Sequence, residues 1–319
     1  MSHGARLGAA RVALLVAGLV AAGLALPAPS ARAQDITQAN VAPLAAPTPR
    51  NADSATAKQL FGAVRGPADL STRAIGFYSK GCLAGAQVLP VNGRTWQAMR
   101  LSRNRNWGHP DLVAFLERFA TRVPAVSNWP GILVGDMSQP RGGPMLTGHA
   151  SHQIGLDADI WLTPMPKRSF TAEERETISA TMIVRPDRLD VDAKVWTSAH
   201  VAVIKAAAQD PEVERVLVNA AIKKALCRDA TGDRAWLQKV RPYWGHDYHM
   251  HVRIACPTGS PDCRPQDAVV PGEGCGSELN WWFSEGNLRP KPPKKPVTPP
   301  PPMMLKDLPP ACREVVLAP

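Results

Sequence analysis

Between its two ends the chain carries apolar residues in two different periods. In "HPDLVAFLERFATRV" Leu112, Phe115, Leu116 and Phe119 recur at helical spacing and Pro110 suits a first turn, so the stretch predicts a helix. "TAEERETISATMI" opens with Thr171 and Glu174 in capping-box register and predicts a second. "TSAHVAVIKAAAQ" and "NAAIKKAL" read as two more. Other stretches alternate. "LDADIW" sends Asp157 and Asp159 to one face of a strand and Leu156, Ala158 and Ile160 to the other. "YHMHVRI" sets Tyr248, Met250, Val252 and Ile254 against His249, His251 and Arg253, while "GILVGDM" and "VERVLV" read as short strands. The mixture predicts an α+β domain, and no glycine-rich phosphate loop marks a nucleotide fold.

The ends change the setting. Arg6 and Arg11 precede the apolar run "VALLVAGLVAAGLAL", which is short for a membrane span, and "SARAQ" offers small residues at Ala31 and Ala33. This predicts a signal peptide over 1–33, with a retained anchor as the alternative, and hence export to the periplasm with no stable membrane insertion after cleavage. Residues 34–60 are rich in Ala, Pro, Thr and Asn and read as a flexible leader, followed by one domain over 61–288. Residues 289–319 form a proline-dense tail predicted to be extended, with no buried core of its own. Cys312 lies beyond the prolines, so bridging that cysteine makes the tail a strap across the body.

Export gives the six cysteines a meaning, because an even number in an oxidising compartment points to disulfides. None has CxxC spacing, and six cysteines alone do not reveal their pairing; Cys256 and Cys263 bracket the turn-rich "PTGSPD", where a local bridge fits. The net charge of +10 suits an anionic envelope. Nucleic acid is the weaker reading, since no arginine-rich stripe or aromatic RNA-binding motif is present.

Of the eight histidines, His3 falls in the signal peptide and five of the others fall into two clusters. The first is His149, His152, Asp157 and Asp159, with Gly155 allowing a bend between the His152 loop and the strand. The second is "WGHDYHMHVRI", where His249 and His251 share a strand face and His246 reaches the same space from the turn. Two imidazoles and a carboxylate suit a catalytic zinc, which keeps three protein ligands and a position for water. A solvated strand edge or a hydrogen-bonded buried histidine accounts for either cluster alone, but poorly for both together. His109 and His200 read as a helix-entry residue and a helix-surface residue.

At these residues the chain resembles the penicillin-insensitive murein endopeptidases, within the wider group of lysostaphin-type enzymes, D-Ala-D-Ala metallopeptidases and hedgehog domains. The group's pattern is a His, six residues, an Asp, and later His-x-His; here these are His152, Asp159 and His249-Met250-His251. "RGGPMLTGHASHQIGLDADIW" and "YWGHDYHMHVR" narrow the likeness to the murein endopeptidase branch. The resemblance implies a central antiparallel sheet flanked by helices, with zinc on His152, Asp159 and His251. It implies that His249 is the general base and that His246 steadies charge in the intermediate. It puts His149 beside the metal as a ligand or as a support for one. It also implies the pairs Cys82–Cys312, Cys227–Cys275 and Cys256–Cys263. Similar proteins hold a second zinc at a subunit interface through Asp-x-x-His. The run here is Asp187-Arg188-Leu189-Asp190, so a second site on Asp187, and the homodimer it would support, lack the histidine.

The expected function is zinc-dependent hydrolysis of peptidoglycan cross-links at the D-alanyl–meso-diaminopimelyl amide. No S-x-x-K motif is present, so β-lactams have no nucleophilic serine of that kind to acylate. A D,D-carboxypeptidase or dipeptidase of the same fold is the runner-up, and a non-catalytic wall-binding protein is the reading from another class. Trp244, Trp281 and Trp282 suit either a substrate groove or a structural anchor.

Overall fold

The computed structural model describes residues 46–48, 50–290 and 298–319, all within one compact unit. The expected signal peptide, most of the expected leader and residues 291–297 of the tail lie outside the described residues. The strands are β1 (Arg73–Phe77), β2 (Lys80–Ala84), β3 (Gln87–Val88), β4 (Trp96–Ala98), β5 (Trp107–Gly108), β6 (Ile132–Val134), β7 (Asp157–Trp161), β8 (Val213–Val218), β9 (Val240–Pro242) and β10 (His249–Ile254). The helices are α1 (Ala57–Ala63), α2 (Pro110–Val126), α3 (Ala172–Thr177), α4 (Ser198–Ala208), α5 (Ala220–Asp229), α6 (Ser277–Asn280), α7 (Glu285–Leu288) and α8 (Ala311–Leu317).

The central sheet has the order β4-β6-β7-β10-β8-β9. Its three inner pairings are antiparallel, but β4 pairs with β6 and β8 with β9 in parallel, so the sheet is mixed and not the purely antiparallel one expected. The cause lies in the connections. Parallel neighbours need a long crossover, and here α2 falls between β4 and β6 while α5 falls between β8 and β9.

One face of this sheet is the main core. Met250, Val252 and Ile254 of β10, with Ala158 and Ile160 of β7, pack in one cluster with Leu112, Phe115 and Phe119 of α2 and Val203 and Ile204 of α4. The opposite face carries His249, His251, Arg253, Asp157 and Asp159. All residues of β7 and β10 are buried, because loops cover that second face. α2 starts as expected, with His109 at its N-cap accepting the Asp111 N–H on Nδ1 at 3.2 Å. His200 differs from expectation: it is buried, with its ring stacked on Trp196 and edge-on to Trp129. Its Nδ1 accepts the Thr197 N–H, so Nε2 carries the proton and faces the Leu162 carbonyl at 3.2 Å.

The tail contributes more than a strap. Leu305, Leu308, Cys312, Val315 and Val316 are buried in a second apolar cluster with Ala57, Leu60 and Phe61 of α1. α1 begins at Ala57 and is packed from that residue on, and α8 gives the tail a buried face. Arg141 donates to the carbonyls of Val315, Val316, Ala318 and Pro319, satisfying acceptors that the end of α8 leaves open. Disulfides join Cys82–Cys312, Cys227–Cys275 and Cys256–Cys263, the pairs that the resemblance implies. Cys82–Cys312 closes the widest loop, with a sequence separation of 230. Converting both cysteines to alanine is expected to cost about 2–4 kcal/mol in denaturant unfolding. Parental stability in that variant would mean the α1–α8 packing alone holds the ends.

Candidate metal centre

Register builds the site. His251 on β10 lies directly opposite Asp159 on β7, and Arg253 lies opposite Asp157. The loop before β7 brings the remaining imidazoles. Gly155 has φ of +72°, and a Cβ there would lie 2.4 Å from Leu83 Cδ2 and 2.9 Å from the His109 nitrogen, so only glycine fits this bend. His152 takes the left-handed conformation at φ +67°, and His246 does so at +57°. Such conformations are uncommon for side chains beyond glycine and concentrate where function requires them.

The result is one carboxylate ringed by four imidazoles. Asp159 Oδ1 is 3.2 Å from His251 Nδ1, 3.4 Å from His152 Nε2 and 3.5 Å from His249 Nε2, and Asp159 Oδ2 is 3.5 Å from His149 Nδ1. Ligand atoms of His149, His152 and Asp159 lie within 4.8 Å of one another. Two of the imidazoles are backed by second carboxylates. His251 Nε2 is 2.9 Å from Asp157 Oδ1, and His149 Nε2 is 2.9 Å from Asp136 Oδ2. That is the arrangement by which outer carboxylates orient metal-binding histidines.

Asp157 does more than orient one ring. It is fully buried, accepts from Arg253 Nε at 2.7 Å, and takes the backbone N–H of His152 at 3.0 Å. One carboxylate thus ties the His152 loop to β10. Burial alone would raise its pKa, but Arg253 and His251 outweigh that and hold it far below the usual range. Asp136 plays the matching part for His149, anchored by Arg105 at 2.8 Å and Arg103 at 3.2 Å.

The donor set fits a metal ion. Both ring nitrogens of His152 and Oδ1 of Asp159 are buried and make no hydrogen bond, a costly state for polar atoms unless an ion uses them. The cluster also has a high affinity for positive charge. Burial pushes His149 and His251 down, yet the carboxylates around them prevail, raising His149 and taking His251 to about 9. A cation displaces such protons when it binds imidazole.

The family profile described as penicillin-insensitive murein endopeptidase matches residues 74–317. The chain belongs to that family. Proteins named penicillin-insensitive murein endopeptidase are 44% identical over 234 residues in Haemophilus influenzae, covering 73% of this chain and 81% of that one. They are 42% identical over 246 residues in Klebsiella pneumoniae, covering 77% and 86%, and 42% identical over 250 residues in Escherichia coli, covering 78% and 88%. The matched range contains every residue of the histidine–aspartate cluster described above.

The structure gathers His149, His152, Asp159, His249 and His251 at one point. His246 stands at the rim, its ring 4.9 Å from that of His249 and 5.8 Å from that of His251. Its Nδ1 lies 2.7 Å from the Trp244 carbonyl, which can only accept, so Nδ1 carries the proton and Nε2 does not. Asp187 is not part of any such group. Its oxygens are taken by Arg185 at 2.6 and 3.2 Å and by the Leu189 N–H at 2.9 Å, while Asp190 pairs with Arg228 and Lys224. Asp136, Arg103 and Arg105 were not among the expected site residues. Arg253 carried a legible signal, since it shares the strand face of His249 and His251.

Proposed function

We propose that this chain is a zinc-dependent murein endopeptidase of the periplasm, hydrolysing the D-alanyl–meso-diaminopimelyl amide of peptidoglycan cross-links. The observation that carries the reading is the cluster of His152, Asp159 and His251, in which both ring nitrogens of His152 and Oδ1 of Asp159 make no hydrogen bond, in a chain of the murein endopeptidase family. His152, Asp159 and His251 would hold the ion, with His149 beside them. When bound, zinc supplies Lewis-acid polarisation of a carbonyl and makes water a stronger acid. His249 Nε2 faces the same centre, and burial pushes its pKa down, leaving a neutral imidazole that accepts the proton of the attacking water. His246 packs beside His249 at the open rim, and its imidazole can stabilise developing negative charge there once Nε2 holds a proton. The protonated histidine returns its proton to the leaving amine. No acyl-enzyme arises in this sequence of steps, so β-lactams have no covalent target in it.

Among the described residues no helix is long and apolar enough to cross a membrane. The test is digestion of purified sacculi and cross-linked muropeptide dimers with and without chelator. Chelator-sensitive release of monomers is expected. Release of free D-alanine alone would move the activity to a carboxypeptidase, and chelator-resistant cleavage would overturn the metal mechanism.

A further inference from the structure

A second cluster of charge lies on the same sheet face as the metal centre. His251 pairs with Leu217 on β8, and Leu217 pairs with Arg241 on β9; Arg253 pairs with Arg215. Paired residues project to one face, so Arg215 and Arg241 stand on the face of the imidazoles, with Arg241 two strand spacings from His251, or about 10 Å. The segment after Cys263 closes over them. Arg215, Arg241 and Arg264 line a cavity of about 630 Å³ together with Phe77 and Gln266, and Asp267 is the one acidic residue in its wall.

The guanidinium groups there are short of partners. Arg215 reaches the Asp267 backbone carbonyl, but its Nε is buried without a hydrogen bond. Arg264 lies over the Phe77 ring at 4.9 Å. Arg241 makes no ion pair or side-chain hydrogen bond with the described residues. Gln266 turns its Oε1 to Arg253 at 2.6 Å, which leaves its amide nitrogen as a further donor. Three guanidiniums and one carboxylate leave an excess of positive charge, and planar forked donors of this kind match a carboxylate.

We propose that this arginine-lined cavity, two strand spacings or about 10 Å across the sheet from His251, is a substrate subsite that binds a carboxylate of the stem peptide. The inference rests on the peptidoglycan reading above and names the substrate group that the site recognises. Occupation also reaches the centre through contacts already described, from Gln266 to Arg253, Asp157 and His251. A carboxylate held there adds uniform binding, shared by the ground state and the transition state.

The test compares the full chain with an Arg241→Gln/Arg264→Gln variant on two substrates: a cross-linked muropeptide dimer and the same dimer with its stem carboxylates amidated. The parent is expected to prefer the free acid by about tenfold, carried in KM with kcat little changed, a difference of about 1.4 kcal/mol. The variant is expected to lose that preference and to treat both substrates as the parent treats the amide. An equal preference in parent and variant, or none in the parent, overturns the inference while the endopeptidase reading stands. Should the parent cleave neither dimer, that reading falls. The subsite is then decided by calorimetric titration of the uncross-linked stem tetrapeptide and its amide, where failure to discriminate them sinks it. Inorganic phosphate provides the last arm. Phosphate binding that the variant loses, with no discrimination between peptide acid and amide, marks a free-anion site and also overturns the proposal.

Discussion

Replacing His249 by alanine is expected to slow cleavage of cross-linked dimers by about 10²–10⁴-fold while leaving the bound metal in place. The distinction from the other imidazoles is geometric. His149 and His251 each have one nitrogen toward Asp159 and the other against a buried carboxylate, as metal ligands do. His152 is fully buried and its backbone is clamped by Asp157. His249 has no carboxylate behind its ring; its Nδ1 is unpartnered, and it packs against His246 and Tyr248 on the open side. A base must exchange a proton and so cannot be locked at both nitrogens. Metal content by atomic emission, measured beside kcat, separates the roles. His251→Ala should lose the ion and His249→Ala should retain it. Loss of metal from His249→Ala would make His249 a ligand and remove the proposed base.

Asp157→Ala is expected to cost about 3–5 kcal/mol of stability in the metal-free protein, although Asp157 does not face the metal position. Arg253 would be left buried without its carboxylate, holding Gln266 and the face of Tyr78 at 4.0 Å. The same substitution frees the His251 ring and the His152 backbone at once, so metal affinity should fall about 10–100-fold. Asn at this position keeps the volume and one acceptor oxygen. It should therefore fall between the alanine variant and the parent in both measurements. Denaturant unfolding of the metal-free proteins and a competition titration with a chromophoric chelator measure the two effects separately. Parental metal affinity in Asp157→Ala would show that the loop and β10 hold their ligands independently.

The site was legible where its chemistry coincides with local periodicity. Asp157 with Asp159 and His249 with His251 share strand faces by the period of two alone, and the Leu112–Phe119 spacing and the Thr171–Glu174 box both mark helices that form. The resemblance then brought the two clusters together, which no spacing could do. What was not legible is what depends on distant packing. Asp136 follows a short buried strand and looks like any loop acid until Arg105 and His149 are brought to it from either side. His200 sits on a helix whose exposed side is marked by a single charge, Lys205, and Trp129 and Trp196 decide that it is inside. The parallel edges follow from crossovers through helices, whose paths a hydropathy pattern does not record. Proline density hid α8, because the apolar residues of "ACREVVL" find their partners in α1, more than two hundred residues away.

The three disulfides are nested: Cys256–Cys263 lies inside Cys227–Cys275, which lies inside Cys82–Cys312. The outermost bond turns residues 82 to 312 into a covalent ring that contains the whole six-stranded sheet, the four imidazoles and the three arginines of the cavity. A ring must be cut twice to yield two pieces. A protease that nicks any single exposed loop within it therefore opens the chain without releasing either half of the site, for as long as the bond stays oxidised.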